Sequence, residues 1–459
     1  MQVNAARMAL PIVLALMTIC PALGIVLTGR DVSTFRSLEP LAPSALAVWV
    51  LRLGTLTAVA AMLIAMLGIP GLGFSTKARP RQLTLLAAFL AFFTTNYIIP
   101  GFLGTVPSHG LRAYGYTFLL FLALYAARDH GSEALIAGTK WSLSAFMLAS
   151  IVLAFVWPSA TLRPYADELR LPLVPFRFWG LGSSPNSIGP LALTLLLLLI
   201  VQPFARRWLQ ITACLSAAAV VLLAQSQTTW IAAALIVPPL LLYRRRLARH
   251  GPGGLAPPPG LSLAMIGLAT AALSILLTEA ASLELPRVSP TGGIAGADDI
   301  LTGRGSIWRV ALDVFTANPL FGYGLAIWED EFRAAIGMSF AVHAHNQLIQ
   351  SLAMGGIVAA VGLLIYVAAV IHGSLASAAA TGGLAPALMV MTLFRMITEV
   401  PFQMQTLLVG DALMHALLFA VVVSARPVHS AASSVRAATA PSHMTWGARG
   451  LSGRPRRLA

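Results

Sequence analysis

Residues 343–370 read HAHNQLIQSLAMGGIVAAVGLLIYVAAV, and this stretch decides the class of fold. From residue 346 to residue 370 it contains no charged side chain. A helix that crosses a bilayer needs ~20 consecutive, predominantly apolar residues. The stretch therefore predicts a transmembrane helix that follows directly on a polar turn containing two histidines.

The composition of the whole chain agrees with that reading. Of its 459 residues, 58% are hydrophobic and only 10% are charged, and the mean hydropathy is +0.81. Soluble domains carry about 25% charged residues, so a soluble enzyme, a disordered protein and a secreted disulfide scaffold are all excluded. We expect an all-α polytopic membrane protein with about twelve transmembrane helices and one large periplasmic loop that carries short amphipathic helices. The predicted spans are 8–28, 44–67, 83–100, 110–127, 135–157, 186–203, 209–225, 228–243, 261–279, 346–370, 384–400 and 405–425.

Basic residues dominate the charge and predict how the chain is oriented. The formal net charge is +14, which on a soluble domain would suggest nucleic acid. Here the arginines lie mostly between apolar runs, so we expect membrane lipids and no nucleic acid as partners. Their distribution among alternate loops predicts that both termini are cytoplasmic. The predicted organisation is a transmembrane domain over 1–425 and a basic, disordered cytoplasmic tail over 426–459.

The longest predicted outer loop, about 280–345, breaks the hydrophobic pattern most strongly. Within it, residues 301–324 read LTGRGSIWRVALDVFTANPLFGYG. Apolar spacing predicts an amphipathic helix over 307–315 on the outer leaflet, ended by Asn318-Pro319. Arg304 precedes this helix, where its guanidinium and free backbone N–H groups could together hold an anion. The alternative is that Arg304 and Arg309 only solvate the loop or contact lipid headgroups.

The loop closes with HAHNQLIQ, residues 343–350, at the predicted membrane interface. Histidine titrates near neutrality, so His343 or His345 could accept a proton from a hydroxyl nucleophile. The alternative is a helix N-cap by Asn346 with solvated histidines beside it. Two histidines in an i, i+2 arrangement lie on different faces of a helix, and the sequence shows no third ligand, so a metal site is disfavoured.

Several ionisable residues fall inside predicted spans, where charges are costly and need partners. Arg52 lies in the second span, Arg395 and Glu399 in the eleventh, and Asp411 and His415 in the twelfth. The i, i+4 spacing of Arg395 and Glu399 predicts a structural salt bridge within one helix. The alternative is a role in a substrate cavity. The twelve predicted spans and the four ionisable residues of the last two spans also motivate a second hypothesis, a secondary transporter or a lipid-linked oligosaccharide flippase.

Residues 177–365 resemble the O-antigen ligase and polysaccharide polymerase superfamily of bacterial inner-membrane glycosyltransferases. Three groups of residues carry the resemblance. They are Arg177-x-x-Gly180 with Pro185-Asn186-x-x-Gly189; Thr302-Gly303-Arg304 with Ile307-Trp308, Asn318-Pro319 and Gly322-Tyr323-Gly324; and His345-Asn346 followed by Gly356. The order and spacing of the three groups, and their predicted place in the membrane, agree with the superfamily.

The resemblance implies transfer of a glycan from undecaprenyl diphosphate to an acceptor hydroxyl on the periplasmic face of the inner membrane, with inversion and without a metal or cofactor. It implies that His345 is the general base and that Arg304 binds the diphosphate. It also implies that the acceptor is a glycan or the lipid A core, and exopolysaccharide or O-antigen polymerisation is favoured over ligation. The further substrate-binding residues that we predict are Arg177, Asn186, Gln227, Trp308, Arg309, His343 and Asn346.

The chain departs from the superfamily in a short polar turn, residues 225–229. Many members carry a basic residue there, whereas this chain has Gln227. An amide can donate hydrogen bonds to phosphate but supplies no charge. We therefore expect either compensation by Arg177 or Arg309, or a donor that is bound differently. A second departure is Ala359, which stands where the superfamily has Gly or Thr.

Overall fold

The computed structural model describes residues 2–33, 44–67, 78–108, 110–164, 171, 174–250 and 304–426. The helices up to the first strand are α1 (Gln2–Leu27), α2 (Ala45–Leu67), α3 (Pro80–Leu103, with a π-helical turn at Thr94–Ile98), α4 (Arg112–Ala126), α5 (Glu133–Val156) and α6 (Pro158–Thr161). Strands β1 (Leu162–Pro164) and β2 (Phe176–Phe178) follow. The remaining helices are α7 (Pro185–Val201), α8 (Arg207–Leu223), α9 (Gln227–His250), α10 (Arg304–Ala317), α11 (Asp330–Ala335), α12 (Gln347–Ala376), α13 (Leu384–Thr398) and α14 (Gly410–Ser424).

The helical character of the chain is confirmed, and each predicted span within the described residues coincides with a helix. In the part of the chain that the structure describes, five helices are long and apolar enough to cross a membrane, namely Met8–Leu27, Ala45–Leu67, Pro80–Leu103, Glu133–Val156 and Gln347–Ala376. Four shorter apolar helices are α7, α8, α13 and α14. The predicted span 261–279 and the predicted tail from residue 427 onward lie outside the described residues, and so do residues 280–303 of the predicted loop. The count of twelve spans and the limits of the loop therefore stay predictions.

The short helices α7, α13 and α14 lie at the centre of the molecule. In α14 every residue from Ala412 to Ser424 is buried, and α7 is buried on nearly all sides. A helix that is apolar all round belongs in an interior. The polar side chains of these helices therefore lie in the interior of the protein.

The longer helices α2 and α5 present large apolar side chains outward. Trp49, Leu53 and Leu56 of α2 are each more than half exposed. In a protein of this composition, such a surface faces lipid. The partner that we expected for Arg52 is the neighbouring Trp49 ring, whose centroid is 5.7 Å from the guanidinium carbon.

Helix α12 is broken at Gly356, and the break explains two of the sequence motifs. Gly356 has φ 65° and ψ −158°, a region that only glycine readily adopts. A Cβ there would lie 2.4 Å from the backbone of Leu320. The segment 319–324 fills the break: the Tyr323 N–H donates to the Ala353 carbonyl at 2.8 Å, and the Ile357 N–H donates to the Pro319 carbonyl at 2.8 Å.

The predicted amphipathic helix is present as α10, and it begins earlier than expected, at Arg304 itself. Ile307, Trp308 and Ala311 are buried, and the helix packs against α12. The helix ends before Asn318-Pro319, as predicted, because the residue before a proline avoids helical geometry. Its placement on the outer leaflet stays a prediction.

Candidate functional site

The site is centred on Glu399, which follows directly on the last turn of α13. Its backbone is extended, with φ −152° and ψ −176°, so its side chain does not lie on a helical face of α13. The predicted i, i+4 salt bridge with Arg395 is therefore wrong. Arg395 pairs instead with Asp411 at the start of α14, and Glu399 is left to other partners. The pair does not form because α13 ends at Thr398, one residue before Glu399.

His345 lies against the Glu399 carboxylate. The His345 Nδ1 atom is 3.1 Å from Glu399 Oε2. Because a carboxylate only accepts hydrogen bonds, Nδ1 carries the proton in the neutral ring and Nε2 is left as the basic nitrogen. The backbone of His345 has φ 50°, which is uncommon for a residue other than glycine. Backbone strain of this kind clusters at functional sites and costs ~1–3 kcal/mol.

Asn346 holds this histidine at the start of α12. Its side-chain oxygen accepts the backbone N–H groups of Leu348 and Ile349, at 3.0 and 3.1 Å. The predicted N-cap is thus present. However, the histidines beside it are not freely solvated, since the side chains of His343 and His345 are only 19% and 25% exposed.

His343 packs on the same carboxylate in its neutral form. Its Nδ1 accepts the His345 backbone N–H at 3.1 Å, and its Nε2 is 3.7 Å from Glu399 Oε2. Burial, together with the neighbouring His345, lowers the pKa of His343 to about 3. The neutral ring of His343 therefore adds no positive charge to the site.

Arg304 supplies the positive charge of the site. A terminal guanidinium nitrogen is 3.8 Å from Glu399 Oε1, and the side chain is 21% exposed. At this distance the pair is an ion pair without a close hydrogen bond, so the guanidinium retains donors for a ligand. The first turn of α10 places the helix N-terminus beside it, which adds to the attraction of an anion.

A second layer of polar groups supports the carboxylate from the other side. Asn186, in the first turn of α7, donates from Nδ2 to Glu399 Oε1 at 3.2 Å. The Asn186 oxygen in turn accepts from Ser226 Oγ at 3.1 Å and lies 3.5 Å from an Arg177 guanidinium nitrogen. Arg177 sits on β2, whose register pairs it with Arg163 on β1, and it also donates to the Ala224 carbonyl. The structure thus brings Arg177 and Asn186 to the same site as His345.

Other predicted residues lie at the margin of this network. Trp308 is buried and donates its indole N–H to the Ala344 carbonyl at 2.6 Å, so it fixes the histidine turn. Within the described residues, Gln227 is exposed and its side chain makes no hydrogen bond. The buried groups of that turn are instead Gln225, which has φ 49° and donates to the Phe176 carbonyl, and Ser226. Arg309 is half-buried and forms no ion pair with the described residues.

Glu399 is the residue that sequence reasoning left out of the site, although its position inside a predicted span already marked it as unusual. It also supplies the third ligand that the sequence did not reveal. Ligand atoms of His343, His345 and Glu399 all lie within 4.8 Å of one another, which is close enough to hold one metal ion. The guanidinium of Arg304 beside the carboxylate opposes a cation there.

The site can therefore take a proton from a hydroxyl at His345 and stabilise negative charge at Arg304. Together with the fold, this defines an all-α membrane protein with a cluster of ionisable side chains at the end of its central helices. A family model described as O-antigen ligase matches residues 211–364. A search of curated proteins found no match. The family match confirms the resemblance to the O-antigen ligase and polymerase superfamily, and the matched stretch contains both Arg304 and His345.

Proposed function

We propose that this protein is an inner-membrane glycosyltransferase that moves a glycan from undecaprenyl diphosphate to an acceptor hydroxyl at the periplasmic face. The observation that carries the proposal is the His345–Glu399 hydrogen bond of 3.1 Å with Arg304 next to it. Displacement of a diphosphate by a hydroxyl requires a base to take the proton and a cationic group to bind the leaving diphosphate. Here Glu399 orients the base.

The reaction follows from these positions. The acceptor hydroxyl gives its proton to His345 Nε2 while its oxygen forms a bond to the anomeric carbon of the donor glycan. The bond from that carbon to the diphosphate oxygen breaks, and the electron pair leaves with undecaprenyl diphosphate. Arg304 stabilises the charge that builds up on this leaving group. Attack opposite the leaving group inverts the anomeric configuration.

No metal ion is required in this scheme, because the diphosphate already carries its charge and Arg304 binds it. Arg177, Asn186 and His343 bind substrate or maintain the carboxylate and base. Trp308 and Asn346 hold the histidine turn, and we also assign Gln227 and Arg309 to substrate binding.

The competing hypothesis of a transporter or flippase has less to support it. The charges that motivated it already have partners: Arg395 pairs with Asp411, and His415 hydrogen-bonds the Tyr366 hydroxyl at 2.7 Å. Paired charges of this kind serve packing, whereas the side chains of Arg304 and His345 beside Glu399 remain 21% and 25% exposed.

The test is transfer by the purified protein in proteoliposomes, with lipid-linked glycan from a strain that lacks the protein. His345→Ala and Arg304→Ala should abolish transfer while the protein still inserts and folds, with Asp313→Asn on the exposed side of α10 as the matched control. Full product from either variant would contradict the proposal. Product length then separates the two activities: polymerisation extends single repeat units, whereas ligation attaches preformed polymer to the lipid A core.

A further inference from the structure

A polar cavity of about 570 Å³ lies beside the histidines and is not used by the reaction scheme above. One wall is the segment from Trp328 to Glu331 together with Arg333, and the other is formed by Gln403 and Gln405. His343 lines it as well, and the His343 ring centroid is 4.1 Å from that of His345. The cavity therefore opens next to the base that takes the acceptor proton.

The position of the cavity suits the acceptor and not the donor diphosphate. Of the residues at the site, His343 lines it, whereas His345 and Arg304, which we assign to the diphosphate, do not. Its walls offer amide and carboxylate groups, which hydrogen-bond sugar hydroxyls. A volume of about 570 Å³ is within the range of ~300–1,000 Å³ typical of small-molecule sites.

The charge at the rim of the cavity is negative. Three consecutive carboxylates, Glu329, Asp330 and Glu331, meet one guanidinium, Arg333, which pairs with Asp330. Within the described residues, neither Glu329 nor Glu331 forms an ion pair, and both are exposed. An anionic group that enters the cavity therefore meets uncompensated negative charge.

We propose that this cavity binds the acceptor glycan and selects acceptors that carry no negative charge next to the reacting hydroxyl. The inference rests on the proposed glycosyl transfer and names the acceptor class. A neutral saccharide, such as the end of a repeat unit, fits the rim, whereas a phosphorylated core oligosaccharide is repelled. The charge distribution thus favours polymerisation over ligation to the lipid A core.

The experiment compares two acceptors that differ only in charge. The purified protein in proteoliposomes receives the lipid-linked glycan donor and either the neutral repeat-unit saccharide or the same saccharide bearing one phosphate monoester. We expect kcat/KM to be about tenfold higher for the neutral acceptor at low ionic strength and the preference to weaken as salt is added. The double variant E329Q/E331Q should raise kcat/KM for the phosphorylated acceptor about tenfold relative to the neutral one, so that the preference for the neutral acceptor is lost. D313N, an exposed acid outside the cavity, is the matched control.

The possible failures are distinguishable. If the wild-type protein transfers glycan to neither acceptor, the proposed function is wrong, and this inference falls with it. If transfer depends on His345 but the two acceptors react equally, or if E329Q/E331Q leaves their ratio unchanged, only the acceptor inference is overturned. Preference of the wild-type protein for the phosphorylated acceptor would overturn it as well.

Discussion

Replacing Glu399 by glutamine tests the arrangement of the site most directly. Glutamine keeps the volume of the side chain and one oxygen that can accept the His345 N–H, but it removes the negative charge. In the proposed reaction His345 becomes an imidazolium 3.1 Å from that charge. The variant therefore loses stabilisation in the transition state while the shape of the site is retained.

The size of the loss follows from the distance. Two unit charges 3.1 Å apart interact by about 5 kcal/mol at an effective dielectric constant of ~20. A hydrogen bond to a charged group contributes about 1.5–3 kcal/mol net, so the upper end of that range and the Coulomb energy bound the expected loss. A loss of about 3–5 kcal/mol corresponds to a fall in kcat of about 10²- to 10⁴-fold. Because Glu399 is not placed to touch the donor, the KM for donor should change little.

The assay is transfer in proteoliposomes, with kcat and KM measured separately for Glu399→Gln, Glu399→Asp and the Asp313→Asn control. Aspartate restores the charge on a shorter side chain, so it should recover part of kcat, which a purely structural role would not produce. Abundance in the membrane and the thermal midpoint in detergent report on folding. A folded Glu399→Gln protein with kcat within tenfold of the wild type would refute the role assigned to the carboxylate.

Three further predictions concern charge, protonation and packing. Arg304→Lys should lower kcat/KM at least tenfold, measured in the same transfer assay, because a point charge does not replace a planar guanidinium on a diphosphate; equal rates would contradict this. His343 is neutral down to a pKa of about 3 in the folded protein and has a reference pKa of 6.5. Protons thus bind preferentially to the unfolded chain in that window, and stability should fall with decreasing pH by at most about 1.4 kcal/mol per pH unit. A thermal midpoint that falls no faster for the wild type than for His343→Gln between pH 6.5 and 4 would argue against it. Gly356→Ala should cost ~2–3 kcal/mol or more, since its backbone region and the Leu320 contact exclude a Cβ. Gly305→Ala, where nothing lies within 4 Å of the added Cβ, should be tolerated, and thermal midpoints of the pair decide.

Removal of divalent cations tests the choice between base and metal site. His343, His345 and Glu399 can together hold one ion, but Arg304 lies 3.8 Å from the same carboxylate. We expect EDTA to leave the rate of transfer unchanged. Loss of transfer in EDTA and its recovery on adding one divalent metal would instead assign the three side chains as ligands.

The sequence predicted the helices well because hydrophobic runs report directly on membrane burial. It also predicted local features of the backbone, such as the Asn346 cap and the end of α10 before Asn318-Pro319, because these depend on residues close by in the sequence. Contacts between segments that are distant in the sequence were not predicted. Glu399 meets His345 from 54 positions away, and no periodicity records such a meeting. The polar turn shows the same limit, because Gln225 and Ser226 are buried there whereas the family resemblance had pointed to Gln227.

The proline and glycine motifs on either side of the histidine turn serve backbone packing. Asn318-Pro319, Gly322, Gly324 and Gly356 carry no chemistry; they let the loop backbone approach the break in α12. The break leaves the carbonyls of Ala353 and Met354 without helical partners, and the N–H groups of Tyr323 and Gly324 satisfy them at 2.8 and 2.9 Å.

That insertion fixes two things at once. It anchors the chain that leads from Gly324 into α11, and so positions the acidic wall of the cavity. It also locks the first turns of α12, at whose start Asn346 holds His345 against Glu399. A substitution at Gly322, where a Cβ would lie 2.7 Å from the Ala353 carbonyl oxygen, should therefore impair transfer without touching any reacting group. The glycines and the histidine therefore act together, because the position of the base depends on the break in α12.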